Sequence, residues 1–171
     1  MNYMQIIEAF YPTYGVRCDG DEATYANIDW GSETPIVQAT LDDKWLDMVK
    51  ASKIEELSEA CADDIVQGFS SDVLGADHWY ASTMEDQTNI IGAALFNSDM
   101  PFKATPAGDV RQYIDHTAAQ IQTVFQTGVG VKQLILNQYD TLKNQVLAAG
   151  SETAVNSIVY TSPRTGSQIP S

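Results

Sequence analysis

The sequence predicts an α+β fold: a small β-containing N-terminal arm, a β-hairpin, and a mainly helical C-terminal body with either one long helix or a helical hairpin. Three observations predict it. Residues 1–40 set short aromatic and apolar runs between turn clusters, as short strands do. Residues 41–67 and 110–149 place apolar side chains three and four apart, which is helical spacing. Between them, residues 68–96 first carry turn chemistry between two short runs and then change period. The expected organisation is an acidic arm over 1–40, a helical domain with a central hairpin over 41–160, and a polar tail over 161–171.

Taken in order, Met4, Ile7 and Phe10 predict one short amphipathic helix that Pro12 and Gly15 bring to an end. Val16–Cys18, Tyr25–Trp30 and Pro35–Val37 then read as short strands, separated by Asp19-Gly20-Asp21 and Gly31-Ser32. Thr40, followed by Asp43, is the expected cap of a helix running to Gln67, with Ile54, Leu57, Cys61 and Ile65 on one stripe and a solvated acidic face opposite. Gly68 stops it. Phe69 and the pair Trp79-Tyr80 end the two arms of a hairpin turned by Asp72 and Gly75. Ser82 with Glu85 forms the expected capping box of the next helix, whose stripe is Met84, Gln87, Ile90, Ile91, Ala94 and Leu95.

Pro101, Pro106 and Gly108 predict a loop over 97–108, with one short extended piece at 102–104. Asp109 is the expected start of a helix through Val110, Tyr113, Ile114, Ile121, Val124 and Phe125, and a second helical run follows from Val131 to Ala149. Each glycine inside a helix costs about 1 kcal/mol, so Gly128 and Gly130 favour a helical hairpin. The alternative is one long helix, in which Val110, Ile114, Ile121, Val124, Val131, Ile135 and Leu142 line a coiled-coil-like seam for a partner. Ser151 is the expected cap of a last short helix through Ile158.

Charge narrows the function. The chain holds 9 basic and 23 acidic side chains, and the acid is N-terminal: 19 acids against 4 bases in residues 1–99, then 4 against 5. Phosphate recognition draws on Lys and Arg, so neither nucleic acid nor an anionic membrane surface is an expected partner. A basic protein partner is allowed, though acidity also serves solubility alone. Cys18 and Cys61 have no CxxC spacing and suggest neither disulfide nor zinc. The apolar run of the first fifteen residues is too short for a signal peptide, and the expected location is cytoplasmic.

Reactive constellations are missing from the pattern. There is no GxSxG, HExxH or P-loop, and Gly128-Val129-Gly130 follows no expected strand. The acidic run at 19–22 lacks the alternating ligands of a calcium loop, and the pairs Asp63-Asp64 and Glu85-Asp86 have no aromatic platform for glycosidase work. We therefore expect no enzyme and no cofactor. The competing reading is a metal site or enzyme built on His78 and His116 with Asp77 or Asp86, which needs residues nearly forty positions apart to meet.

Gly68-Phe69, Ser71-Asp72, Leu74-Gly75, His78, Tyr80, Asp86-Gln87 and Asn89-Ile90, followed by His116-Thr117 on the next long helix, resemble a domain of unknown function that recurs in tail-fibre gene regions of tailed bacteriophages. The similarity spans roughly residues 45–150. It implies a tail-fibre-associated protein, either an assembly chaperone made in the host cytoplasm or a structural part of the virion tail. Implied partners are fibre, baseplate or other tail subunits, with a second copy of the chain as the further option. It implies no catalytic residue. Phe69, Gly75, His78, Tyr80, Asp86, Gln87 and His116 would then serve structure, His78, Tyr80 and His116 packing the helix against the hairpin and Gln87, with Asn89, hydrogen-bonding strand edges.

Overall fold

The computed structural model describes residues 1–164, so residues 165–171 of the expected tail lie outside the described residues. The fold is α+β, with two antiparallel sheets among helices. Two compact units divide the described residues: Met1–Glu55 with Gln145–Ile158, and Glu56–Asn144 with residues 159–164. The expected boundary at residue 40 falls inside a helix. Among the described residues no helix is long and apolar enough to cross a membrane.

In the first unit, helix α1 (Tyr3–Phe10) starts where the Asn2 side chain accepts the Gln5 N–H at 2.9 Å. Strands β1 (Arg17–Cys18) and β2 (Ile28–Asp29) pair antiparallel, Cys18 opposite Ile28. The third expected strand is absent. Pro35–Val37 instead leads into helix α2 (Gln38–Gln67): the Ile36 carbonyl accepts from the Tyr25 hydroxyl, and the Val37 carbonyl takes the N–H groups of Thr40 and Leu41. Thr40 therefore lies inside the helix rather than capping it. Tyr3, Ile6, Ile7, Ile28 and Leu41 form the buried centre of this unit. The Tyr3 hydroxyl is satisfied within that centre, donating to Asp42 at 2.8 Å and accepting from Gln38 at 2.9 Å. Helix α5 (Glu152–Asn156), capped by Ser151 as expected, buries Val155. Trp45 donates its indole N–H to Glu152 in the same unit.

The second unit is a four-stranded antiparallel sheet with helices. The hairpin forms as expected: β3 (Phe69–Ser71) pairs with β4 (His78–Tyr80), Phe69 opposite Tyr80. Its turn is closed by the Gly75 N–H on the Asp72 carbonyl, and Gly75 sits at φ +88°, where a Cβ is strained. Helix α3 (Met84–Phe96) has its capping box one residue later than expected, on Thr83 and Asp86. Its inner face is correspondingly turned: Ala93 and Ala94 are buried, while Met84 and Leu95 are 77% and 81% exposed.

The largest departure is at 100–116. The expected loop is strand β5 (Met100–Pro106), and the expected start of a helix is strand β6 (Gln112–His116), Phe102 opposite Ile114 and Met100 opposite His116. Pro101 is accommodated because β5 pairs only with β6 there; β4 joins it at Thr105 and Pro106. The short window misled because Val110, Tyr113 and Ile114 satisfy helical spacing, while Ile114 and His116 also satisfy the alternation of a strand. His116 is consequently a strand residue, and Thr117 is the cap. Its hydroxyl accepts the Gln120 N–H at 3.2 Å while the Gln120 amide oxygen accepts the Thr117 N–H at 2.8 Å.

One long helix follows, α4 (Ala118–Ala148), continuous through both glycines, so the helical hairpin is not formed. Gly128 is required by close approach: a Cβ there would stand 2.7 Å from Cε1 of Phe69. The close approach of the Phe69 ring, not a bend, explains that glycine. Val124, Val131 and Ile135 pack with Cys61, Phe69, Tyr80 and Ala104 in the centre of the unit. Ile121 packs with Ala93 and Ala94 in an adjoining cluster.

Candidate functional site

The hairpin, α3, β5 and α4 enclose an apolar groove on the second unit. Its floor begins with Phe69 and Tyr80, which face each other across the hairpin and stack with ring centroids 5.7 Å apart. Tyr80 carries a hydroxyl into the interior and needs a partner there. That partner is His116, 2% exposed, with Nε2 2.9 Å from the hydroxyl. The other ring nitrogen, Nδ1, lies 2.7 Å from the Ile114 carbonyl. A carbonyl only accepts, so Nδ1 bears the hydrogen, and in the neutral ring Nε2 is then the acceptor and Tyr80 donates. Burial pushes the Tyr80 hydroxyl up to about 12, which keeps that proton in place. The pair is a closed internal hydrogen bond.

The rim is polar. Asp86 Oδ2 accepts the Thr83 N–H and hydroxyl, and Oδ1 pairs with the Arg111 guanidinium. Burial would raise this carboxyl, but the Thr83 hydrogen bond, the Arg111 hydrogen bond and the Arg111 charge outweigh it and hold it below the usual carboxylate range. Gln87 spans two elements: its amide N–H₂ donates to the Ser82 carbonyl at 2.9 Å, and its amide oxygen accepts from Lys132 Nζ of α4 at 2.8 Å. Inside this rim the lining is Ile90, Ile91, Phe102, Val124, Phe125 and Val129, around a cavity of about 130 Å³.

Of the site residues singled out in the sequence, Phe69, Tyr80, Asp86 and Gln87 line this groove, with Val124 from the expected seam. Tyr80 brings in His116 as its partner. Gly75 makes the hairpin turn and stands apart. His78 also stands apart: its Nδ1–H donates to the Ala76 carbonyl at 2.7 Å. It pairs with Pro106 at one end of β5, whereas His116 pairs with Met100 at the other. Six residues of strand, roughly 20 Å, separate those two positions. The histidine metal site therefore has no geometry to support it, and among the described residues no three His, Cys, Asp or Glu side chains are grouped to hold a metal ion.

The expected partner-binding seam is also relocated. Ile121, Val124, Val131, Ile135 and Leu142 are buried within the fold, Ile114 is a half-buried strand residue, and Val110 is 72% exposed in the β5–β6 connection rather than on α4. Their regular steps reflect burial against this chain's own strands and helices. Sequence reasoning misses Lys132 and Val129 on α4 as site residues, and it reads Phe125 of α4 and Ser82 before α3 only as a helical stripe position and a cap. Only tertiary packing brings them to the hairpin, and their spacing alone carries no signal.

A second polar cluster was equally hidden. Asp64 of α2 is buried with Arg164: Arg164 Nε lies 3.2 Å from Oδ1, and its Nη2 donates to the Asp64 carbonyl. Tyr160 donates to Asp64 Oδ2 at 2.6 Å. Burial first, then Asp64, pushes the Tyr160 hydroxyl well above its ordinary value. A sequence separation of one hundred residues leaves no local pattern from which to read this pairing.

The family model described as Domain of unknown function (DUF4376) matches residues 48–161, which includes every residue of the groove. No curated protein and no solved structure matches the chain.

Proposed function

Given that the chain belongs to the family described as Domain of unknown function (DUF4376), we propose that it is a non-enzymatic bacteriophage tail protein. In this reading it associates with the tail fibre or tail tip and acts in fibre attachment or assembly. One observation carries the non-enzymatic part: the resemblance residues Phe69, Tyr80, Asp86 and Gln87 surround an open apolar groove, and their polar groups are engaged with His116, Thr83, Arg111, Ser82 and Lys132. A docking surface needs an ordered rim and exposed apolar area. Ile91 and Val129, about half exposed at the groove, supply the second. The tail assignment rests on the resemblance of those same residues to the tail-fibre-region domain.

The partner is a fibre, baseplate or other tail subunit, with a second copy of the chain as the other option. The protein acts in the host cytoplasm during assembly and, as a structural component, stays in the virion tail. Peptide mass spectrometry on purified particles, beside lysate of the same infected cells, tests this. Recovery in particles at the level of known tail subunits makes it a structural component. Abundance in lysate, in complex with a fibre or tail subunit and absent from particles, makes it an assembly chaperone. Absence of any such complex in both samples would overturn the proposal.

A further inference from the structure

We propose that the groove binds a phenyl ring with a carboxylate beside it, presented by the partner as an aromatic side chain next to an acidic group. This deepens the docking reading above and rests on it. Size sets the first part. The cavity of about 130 Å³ is close to the roughly 150 Å³ of apolar cavities that take up benzene, and its walls are aliphatic and aromatic. That is room on the scale of one ring.

Charge sets the second part. Two groove residues are charged, Asp86 and Lys132. Asp86 is neutralised by Arg111 and turned into the capping box of α3. Lys132 is held by the neutral amide oxygen of Gln87 and, among the described residues, has no ion pair. An exposed ammonium without a counter-ion thus stands at the mouth of an apolar slot, on a chain whose net charge is −14. At physiological ionic strength the surrounding acid is screened beyond about 8 Å, so a carboxylate that has reached the mouth meets Lys132 first. A ring alone would gain burial; a ring bearing a carboxylate would gain the ion pair as well.

The test is a titration of the full-length protein with 3-phenylpropionate and with its neutral analogue 3-phenylpropanamide, followed by methyl NMR of Ile90, Ile91, Val124 and Val129. The carboxylate is expected to shift these methyls and to bind about fivefold more tightly than the amide, the ratio that about 1 kcal/mol from an exposed ion pair gives. In K132M that preference should vanish, so that the two probes bind with equal affinity. In V129W, which fills the groove from an exposed helix position, both probes should lose binding. Equal affinity for the two probes, or methyl shifts outside the groove, would overturn the proposal. Recovery of V129W in tail complexes at the wild-type level would also overturn it, yet leave the tail assignment standing; loss of the wild-type protein from such complexes would sink that assignment instead.

Discussion

Adding one methyl group to α4 should have opposite effects at two positions two residues apart. Gly128 and Gly130 both lie inside the helix, where Gly→Ala gains about 1 kcal/mol from backbone entropy. At Gly130 nothing lies within 4 Å of the new Cβ, so Gly130→Ala should keep that gain. At Gly128 the new Cβ would stand 2.7 and 2.8 Å from Cε1 and Cζ of Phe69. The ring has little room to retreat, because it is 6% exposed and stacked on Tyr80. Overpacking of this kind costs about 1–3 kcal/mol, so the net effect of Gly128→Ala ranges from near zero to a loss of about 2 kcal/mol. The two variants should therefore differ by about 1–3 kcal/mol, seen as a shift in urea midpoint at unchanged slope. Placing Gly128→Ala on a Phe69→Leu background removes the ring edge and should recover most of the difference, a coupling that a double-mutant cycle isolates. Equal stabilisation by both alanines, or no coupling to Phe69, would refute the packing argument.

Other consequences follow from the polar groups. Tyr80→Phe leaves the buried Nε2 of His116 without its donor and should cost about 1–3 kcal/mol in urea denaturation, whereas His78→Ala should change stability by less than about 0.5 kcal/mol, His78 being half-buried with a purely local hydrogen bond. Thr83→Ala removes the cap of α3 and should cost about 1 kcal/mol, while Ser82→Ala, one residue outside the box, should cost only a few tenths. Because Asp86 is held below its ordinary value in the folded chain, its contribution is complete above about pH 4 and is lost as the pH falls through the folded value. Asp86→Asn should accordingly flatten the acid limb of stability below about pH 4, measured by denaturant midpoints as the pH is lowered. Arg164→Ala strands the buried Asp64 carboxylate and should cost about 3–5 kcal/mol, with Asp64→Asn in the same background recovering part of it.

Phe69, Gly128, Tyr80 and Asp86 belong both to the groove and to the packing of the fold, and that sharing bears on how the site works. Tyr80 closes its hydrogen bond inward and presents its ring to the cavity, so the floor is fixed by the core. Gln87 ties the N-terminal turn of α3 to Lys132 of α4, which fixes the spacing of the walls. A pre-ordered site loses little entropy on binding, and the same residues can serve stability and docking without conflict.

The sequence by itself determined the local events. The Asp72–Gly75 turn, the stop at Gly68, the Ser151 cap and the α+β class were all legible, because each depends on residues within a few positions of one another. Capping of α3 was legible in kind but off by one residue, since Ser82 and Thr83 offer the same chemistry and only the burial of Ala93 and Ala94 selects the phase. What tertiary structure alone decided were the states of 100–116 and of Gly128. Two prolines and a three-four spacing argue locally for loop and helix, yet pairing along five residues of β5 and β6 outweighs them. Gly128 argues locally for a bend, but a long helix lets that position admit the edge of Phe69, a contact across 59 residues. The groove belongs to the same class, because local propensities other than proline's are worth about 1 kcal/mol or less per residue, while burying a large side chain is worth about 1.5–3 kcal/mol. Wherever the two disagree, the distant partner prevails, and Lys132 meets Gln87 only after it has.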